Sequence, residues 1–146
     1  MEGEFKPTEA LRRIDEIDRR ARRPARTAGW IFVIVGLGTT LYWPAMSFGP
    51  MWAQVTAGVG WVALTVASTF YLGAMKVQDR EVAWVNNPTS PVSIAYVVSV
   101  LVTFVFGMFL RPEDPSGAWI TALIALAVLS GLPALYGGWR ILRASR

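Results

Sequence analysis

The stretch Pro91–Leu110, PVSIAYVVSVLVTFVFGMFL, runs for twenty residues without a charge, and no other feature of the chain constrains its fold as strongly. A hydrocarbon core of about 30 Å is crossed by roughly 20 apolar residues at 1.5 Å rise per residue, so the stretch has the length of a spanning helix. Runs of similar length and polarity occupy 27–47, 52–75 and 117–139. Between Val92 and Leu110 lie twelve Val, Ile, Leu or Phe residues. Each adds about −0.3 to −0.6 kcal/mol to insertion near a helix centre, which makes insertion favourable by several kcal/mol. A soluble strand is the rival reading of such β-prone residues, but strands rarely exceed about ten residues. The expected fold is all-α: an integral membrane four-helix up-down bundle over 27–146, preceded by an amphipathic cytoplasmic helix within 1–26.

With 146 residues, 53% of them hydrophobic and 16% charged, four spans and their connections leave no room for a second domain. Cys and His are both absent. That removes disulfides, thiolate chemistry, the usual zinc and haem sites and imidazole acid–base catalysis. The net charge of +4 invites a nucleic-acid reading until the positions are considered: eight of the fourteen basic residues precede residue 27, so the basicity belongs to one tail. A secretory signal is not expected there, because the tail is long, carries six carboxylates from Glu2 to Asp18 and is followed by no clear small-x-small site.

The tail is patterned as a helix from Thr8 to about Arg23, with Pro24 expected to end it. Ala10, Ile14, Ile17 and Ala21 recur at helical spacing, with Leu11 beside them, and make a narrow apolar stripe. Glu9–Arg13, Asp15–Arg19, Glu16–Arg20 and Asp18–Arg22 are acid-before-base pairs at i,i+4, each worth about 0.2–0.5 kcal/mol to an exposed helix. Two uses are open. The stripe Leu11, Ile14, Ile17 can rest in the headgroup boundary with Arg20, Arg22, Arg23 and Arg26 near anionic lipid. It can equally pair with a second copy or a partner's helix as a short coiled-coil seam. Nucleic acid is not an expected partner, since the interleaved acids weaken phosphate attraction and no aromatic residue stands among the arginines.

Lys and Arg also predict orientation. Eight precede the first span, Lys76 and Arg80 lie in the middle connection and Arg140, Arg143 and Arg146 follow the last span, against Arg111 alone on the opposite side. The positive-inside rule therefore places both termini and the middle connection in the cytoplasm.

Within the spans, Trp30 and the pair Tyr42, Trp43 sit where interfacial aromatic belts are expected. Gly36, Gly38, Gly58, Gly60 and Ala67 are the expected helix-packing positions, since small residues let backbones approach where lipid removes the hydrophobic drive for association. Thr56, Thr65, Ser68 and Thr69 are expected to return their hydroxyls to their own helix, and Gln54 to serve as an interfacial amide. In the middle connection, Val77, Trp84 and Val85 are expected at the headgroups and Asp79, Arg80 and Glu81 on a solvated face. Asp114-Pro115 reads as the start of the fourth span, and Gly131 with Pro133 as a bend or hinge in its inner half. The two halves share a weak pattern of helix, Pro-containing turn and a Trp (Trp52, Trp119) opening the second helix, which would make a parallel repeat.

No Asp, Glu, Lys, Arg, Asn or His falls inside these four runs. Buried charges in membranes mark ion paths and substrate sites, and small four-helix proton-coupled exporters, which this chain matches in size, rely on an embedded carboxylate that it lacks. No nucleophile stands beside an acid–base partner, so no catalytic residue, cofactor or metal ligand is expected. The Arg-rich EALRRIDEIDRRARRPAR helix ahead of Ala/Val/Gly/Trp-rich spans resembles uncharacterised small four-helix membrane proteins of high-GC actinobacteria, which implies a bacterial inner membrane and no mechanism. The expected role is that of an accessory or scaffolding subunit acting by helix association, as a homo-oligomer or with a membrane-protein partner. The alternative is an oligomeric small transporter or channel component for a neutral or lipophilic substrate, with Thr39, Thr40, Thr65, Ser68 and Thr103 along the path.

Overall fold

The computed structural model describes the backbone of residues 7–74 and 80–145 and the side chains of 24–73 and 80–145. Five helices follow in order, α1 Pro7–Phe48, α2 Met51–Ala74, α3 Arg80–Val85, α4 Pro91–Phe109 and α5 Gly117–Ala144, with no strand among the described residues. Four segments are long and apolar enough to cross a membrane: Pro24–Phe48, Met51–Gly73, Pro91–Phe109 and Gly117–Ala144. Large apolar side chains lie on the outside, Phe70 at 76% exposure, Leu41 at 68% and Val59 at 66%. Apolar exposure of this extent is rare on a soluble monomer and is what lipid-facing helices present.

Helix α1 departs from the sequence pattern. It runs without interruption through Pro24 and Pro44, so the tail and the first span are one helix of about 63 Å at 1.5 Å per residue. Proline inside a helix costs about 3 kcal/mol through its missing N–H and its ring clash. Here the residues just after it are packed: Ala25 and Ala28 are buried together with Val82, Val85, Val92 and Ile141. Tertiary contact on the next turn thus carries the helix across Pro24. The side chains of Leu11, Ile14, Ile17, Arg20, Arg22 and Arg23 lie outside the described residues.

Packing proceeds in a row, α2 on α1, α1 on α5 and α5 on α4, with α1–α5 the most extensive interface. Helices α1 and α5 run antiparallel in close register. Gly29 lies against Gly138 near one end, Gly36 against Gly131 in the middle and Phe48 against Trp119 at the other end. At Gly36 an added Cβ would stand 2.9 Å from the Gly131 carbonyl oxygen, and at Gly131 it would collide with Thr40 Oγ1. The two backbones touch there, which only glycine permits. Gly131, expected with Pro133 at a bend, is a contact point, and α5 continues as a helix through Pro133 to Ala144.

Ser90 caps α4 by accepting from the Ser93 N–H, and Ser116 caps α5 by accepting from the Trp119 N–H. The start of α5 thus belongs to Ser116 rather than to Asp114-Pro115. Trp43 is no belt residue. It is buried against Phe104 and Tyr42, and its indole N–H has no partner among the described residues.

A parallel repeat would pair α4 with α2 as α1 pairs with α5. That second interface is missing, and the only substantial helix contact of α2 among the described residues is with α1.

Candidate functional site

Where the row fails to close, a lateral cleft of about 490 Å³ separates α2 from α4, floored by α1. Its floor is Ile31, Phe32 and Val35; its α2 wall carries Trp61, Thr65, Ser68, Thr69 and Leu72; its α4 wall carries Tyr96 and Val100. Asn86, at the end of α3, stands at the mouth. The cleft therefore occupies the half of the spans nearer the α3 end.

Helical spacing explains the α2 wall: Trp61, Thr65, Ser68 and Leu72 fall at intervals of four, three and four, which is one face of a helix. Trp61 also lies over Gly38, 3.5 Å from where a Cβ would stand, and stacks at 5.6 Å on Tyr42. The indole holds α2 against α1 and leaves the lower half of α2 facing α4 across open space.

The hydroxyls of the cleft differ in what they have left to offer. Thr39 Oγ1 donates its one proton to the Val35 carbonyl at 2.8 Å. Its 2.9 Å bond with Tyr96 must then have the phenol as donor, since a threonine hydroxyl has a single proton. Thr65 donates to the Trp61 carbonyl and Thr69 to the Thr65 carbonyl. All three lining hydroxyls retain only acceptor capacity. Ser68 is the exception to the expected return of hydroxyls to the backbone: among the described residues its Oγ has no partner, nor has the Asn86 side-chain amide.

The α3 end carries an ion pair, still partly exposed, that the sequence pattern does not announce. Glu81 accepts from Arg140 Nε at 2.7 Å, and the same guanidinium lies 4.1 Å from the centroid of the Trp84 ring. Val85, expected at the headgroups, is buried against Ile141, Val92 and Ala28. Its carbonyl accepts from Ser93 Oγ at 2.9 Å. Helix α3 is thus fastened onto α5 and the start of α4. Val77 and Asp79 lie outside the described residues.

The positions singled out in the sequence separate clearly. Gly36 and Gly38 sit in helix interfaces. At Gly58 and Gly60 an added Cβ would meet nothing within 4 Å among the described residues, and Ala67 is exposed. Gly60 borders a shallow groove with Gly38, Leu41 and Tyr42 of α1. Of the five residues expected along a path, Thr65 and Ser68 line the cleft. Thr39, Thr40 and Thr103 lie in packed interfaces, Thr103 bonding the carbonyls of both Ser99 and Leu126. Gln54 donates to the Gly49 carbonyl at 3.0 Å and secures the α1–α2 turn. Arg26 is exposed beside Trp30 and the end of α5. Tyr96 and Asn86 were missed as site residues; a phenol within an otherwise apolar run was the available signal for the first.

Among the described residues four helices are long and apolar enough to cross a membrane, which suggests a multi-pass membrane protein. No protein family, curated protein or solved structure matches the chain. Its function is therefore read from its own residues.

Proposed function

We propose that this chain is a polytopic protein of the bacterial inner membrane, with both termini cytoplasmic, that acts by helix association as an accessory or scaffolding subunit and does no catalysis. The observation that carries the reading is an exposed face of α2. Thr56, Gly60, Ala63 and Ala67 recur at intervals of four, three and four, and all are exposed. Small residues at this spacing let a second helix approach closely, the usual basis of helix association in lipid. The skewed Lys and Arg distribution supports the orientation. It brings the tail, with Leu11, Ile14, Ile17 and the arginines from Arg20 to Arg26, to the anionic leaflet or to a partner's helix on the same side.

Mass determination of the intact protein extracted in native nanodiscs tests this reading. A homo-oligomer or a stoichiometric second protein is expected, and Gly60→Leu should reduce the assembly to monomer while leaving the fold intact. A monomer in the wild type would overturn it. The transporter reading keeps one supporting observation, the cleft, and loses the continuous hydroxyl path, because three of its five residues are engaged in helix contacts.

A further inference from the structure

We propose that the cleft between α2 and α4 is a binding site for one neutral amphiphile, a molecule with a hydrocarbon body and a hydroxyl head, such as a long-chain alcohol or a monoacylglycerol. Its volume, about 490 Å³, falls within the range of roughly 300–1,000 Å³ typical of small-molecule sites. A lateral cleft within spanning helices does not stay empty, since hydrocarbon surrounds it. What distinguishes it from ordinary lipid-facing surface is its polar content.

The donors and acceptors are complementary to a hydroxyl. Ser68 Oγ holds a proton with no acceptor among the described residues, while Tyr96, Thr65 and Thr69 have used theirs and can only accept. A ligand hydroxyl can accept from Ser68 and donate to one of the others, which satisfies both sides. In an apolar surrounding an unmade hydrogen bond of this kind is unfavourable, so the site selects for a head that completes it. Ile31, Val35 and Val100 receive the hydrocarbon, and the Asn86 amide at the mouth can take a second polar group, as a glycerol head would provide. Among the described residues lining the cleft there is no Lys, Arg, Asp or Glu, so they offer an ionised head such as a phosphate or a carboxylate no counter-charge. The site does not rest on the association reading. Gly60, Ala63 and Ala67 are not among the residues lining the cleft, so either can fail alone.

The test is photolabelling of the full chain in phosphatidylcholine nanodiscs with a diazirine-bearing hexadecanol, mapped by mass spectrometry. Labelling should concentrate on the α2 and α4 segments that line the cleft. Excess monooleoylglycerol should compete it, and phosphatidylglycerol or oleate should not. Ser68→Ala should weaken competition about fivefold, the effect of one neutral hydrogen bond. Ser68→Leu, which fills the cleft, should abolish labelling there, and Val66→Leu on the outer surface should leave it unchanged. Labelling spread evenly over Val59, Val66 and Phe70, or equal competition by phosphatidylglycerol, would overturn the proposal. Should Ser68→Leu not fold, the labelling map and the Ser68→Ala competition still decide it.

Discussion

The α1–α5 seam and the α2–α4 gap occupy equivalent places in the two halves of the chain, yet one is closed to backbone contact and the other stays open. Both α2 and α5 are rich in Gly and Ala. In α5 the small residues Ala127, Gly131, Ala134 and Gly138 are buried, the last three aligned with the interior face toward α1. In α2 the α4 side carries Trp61, Thr65, Ser68 and Leu72, while the small residues Gly60, Ala63 and Ala67 are exposed and line no part of it. The difference teaches that content of small residues does not decide closure; their phase around the helix does.

The largest effect is expected at the seam. Gly36→Leu or Gly131→Leu forces a side chain into the opposing backbone and should destabilise the fold by about 3 kcal/mol or more, as overpacking at a point with no free volume does. Loss of the monodisperse peak in detergent and a collapsed circular-dichroism melt would report it. If both variants melt like the wild type, the seam is not what holds α1 to α5.

The next effect is at the α3 end, where Val85 is 1% exposed. Val85→Ala removes two methyls from the cluster around Ile141 and should cost about 2 kcal/mol by the transfer and cavity terms, measured as a lowered unfolding midpoint. A neutral result would mean that α3 is not fastened to the row.

A smaller effect is expected at the edge of the gap. Tyr96→Phe deletes the bond to Thr39, which joins α4 to α1 beside the cleft, and should cost about 0.5–1.5 kcal/mol. A double-mutant cycle with Thr39→Val checks it, with coupling absent if the bond does not form. Least of all, Gly60→Leu should change monomer stability by less than about 0.5 kcal/mol, because the added side chain meets open space. A strong loss of monomer stability there would show that α2 packs more tightly than the row implies.

Part of this was legible beforehand. The four helices and the packing role of Gly36 and Gly38 follow from run length and side-chain size, which are local properties. The end of the tail helix at Pro24 was misjudged, because burial of Ala25 and Ala28 by α3 and α5 outweighs the local penalty. Glu81 and Arg140 are 59 residues apart in the chain, and nothing in either neighbourhood announces the pair. Ser68 was expected to bond its own helix, as Thr65 and Thr69 do, and no pattern marks it as the exception.

The sequence by itself determined the class: four uncharged helical runs of spanning length, without Cys or His, with eight of the fourteen basic residues crowded before the first run. Length, transfer free energy and charge asymmetry are sums over residues, so order along the chain is enough to read them. Only the tertiary structure decided that α1 and α5 close while α2 and α4 do not, that Glu81 meets Arg140, and that three spent hydroxyls share a cleft with one serine that has no partner among the described residues. Those features depend on the rotation of each helix about its axis and on which distant segments meet, and a linear pattern does not specify either.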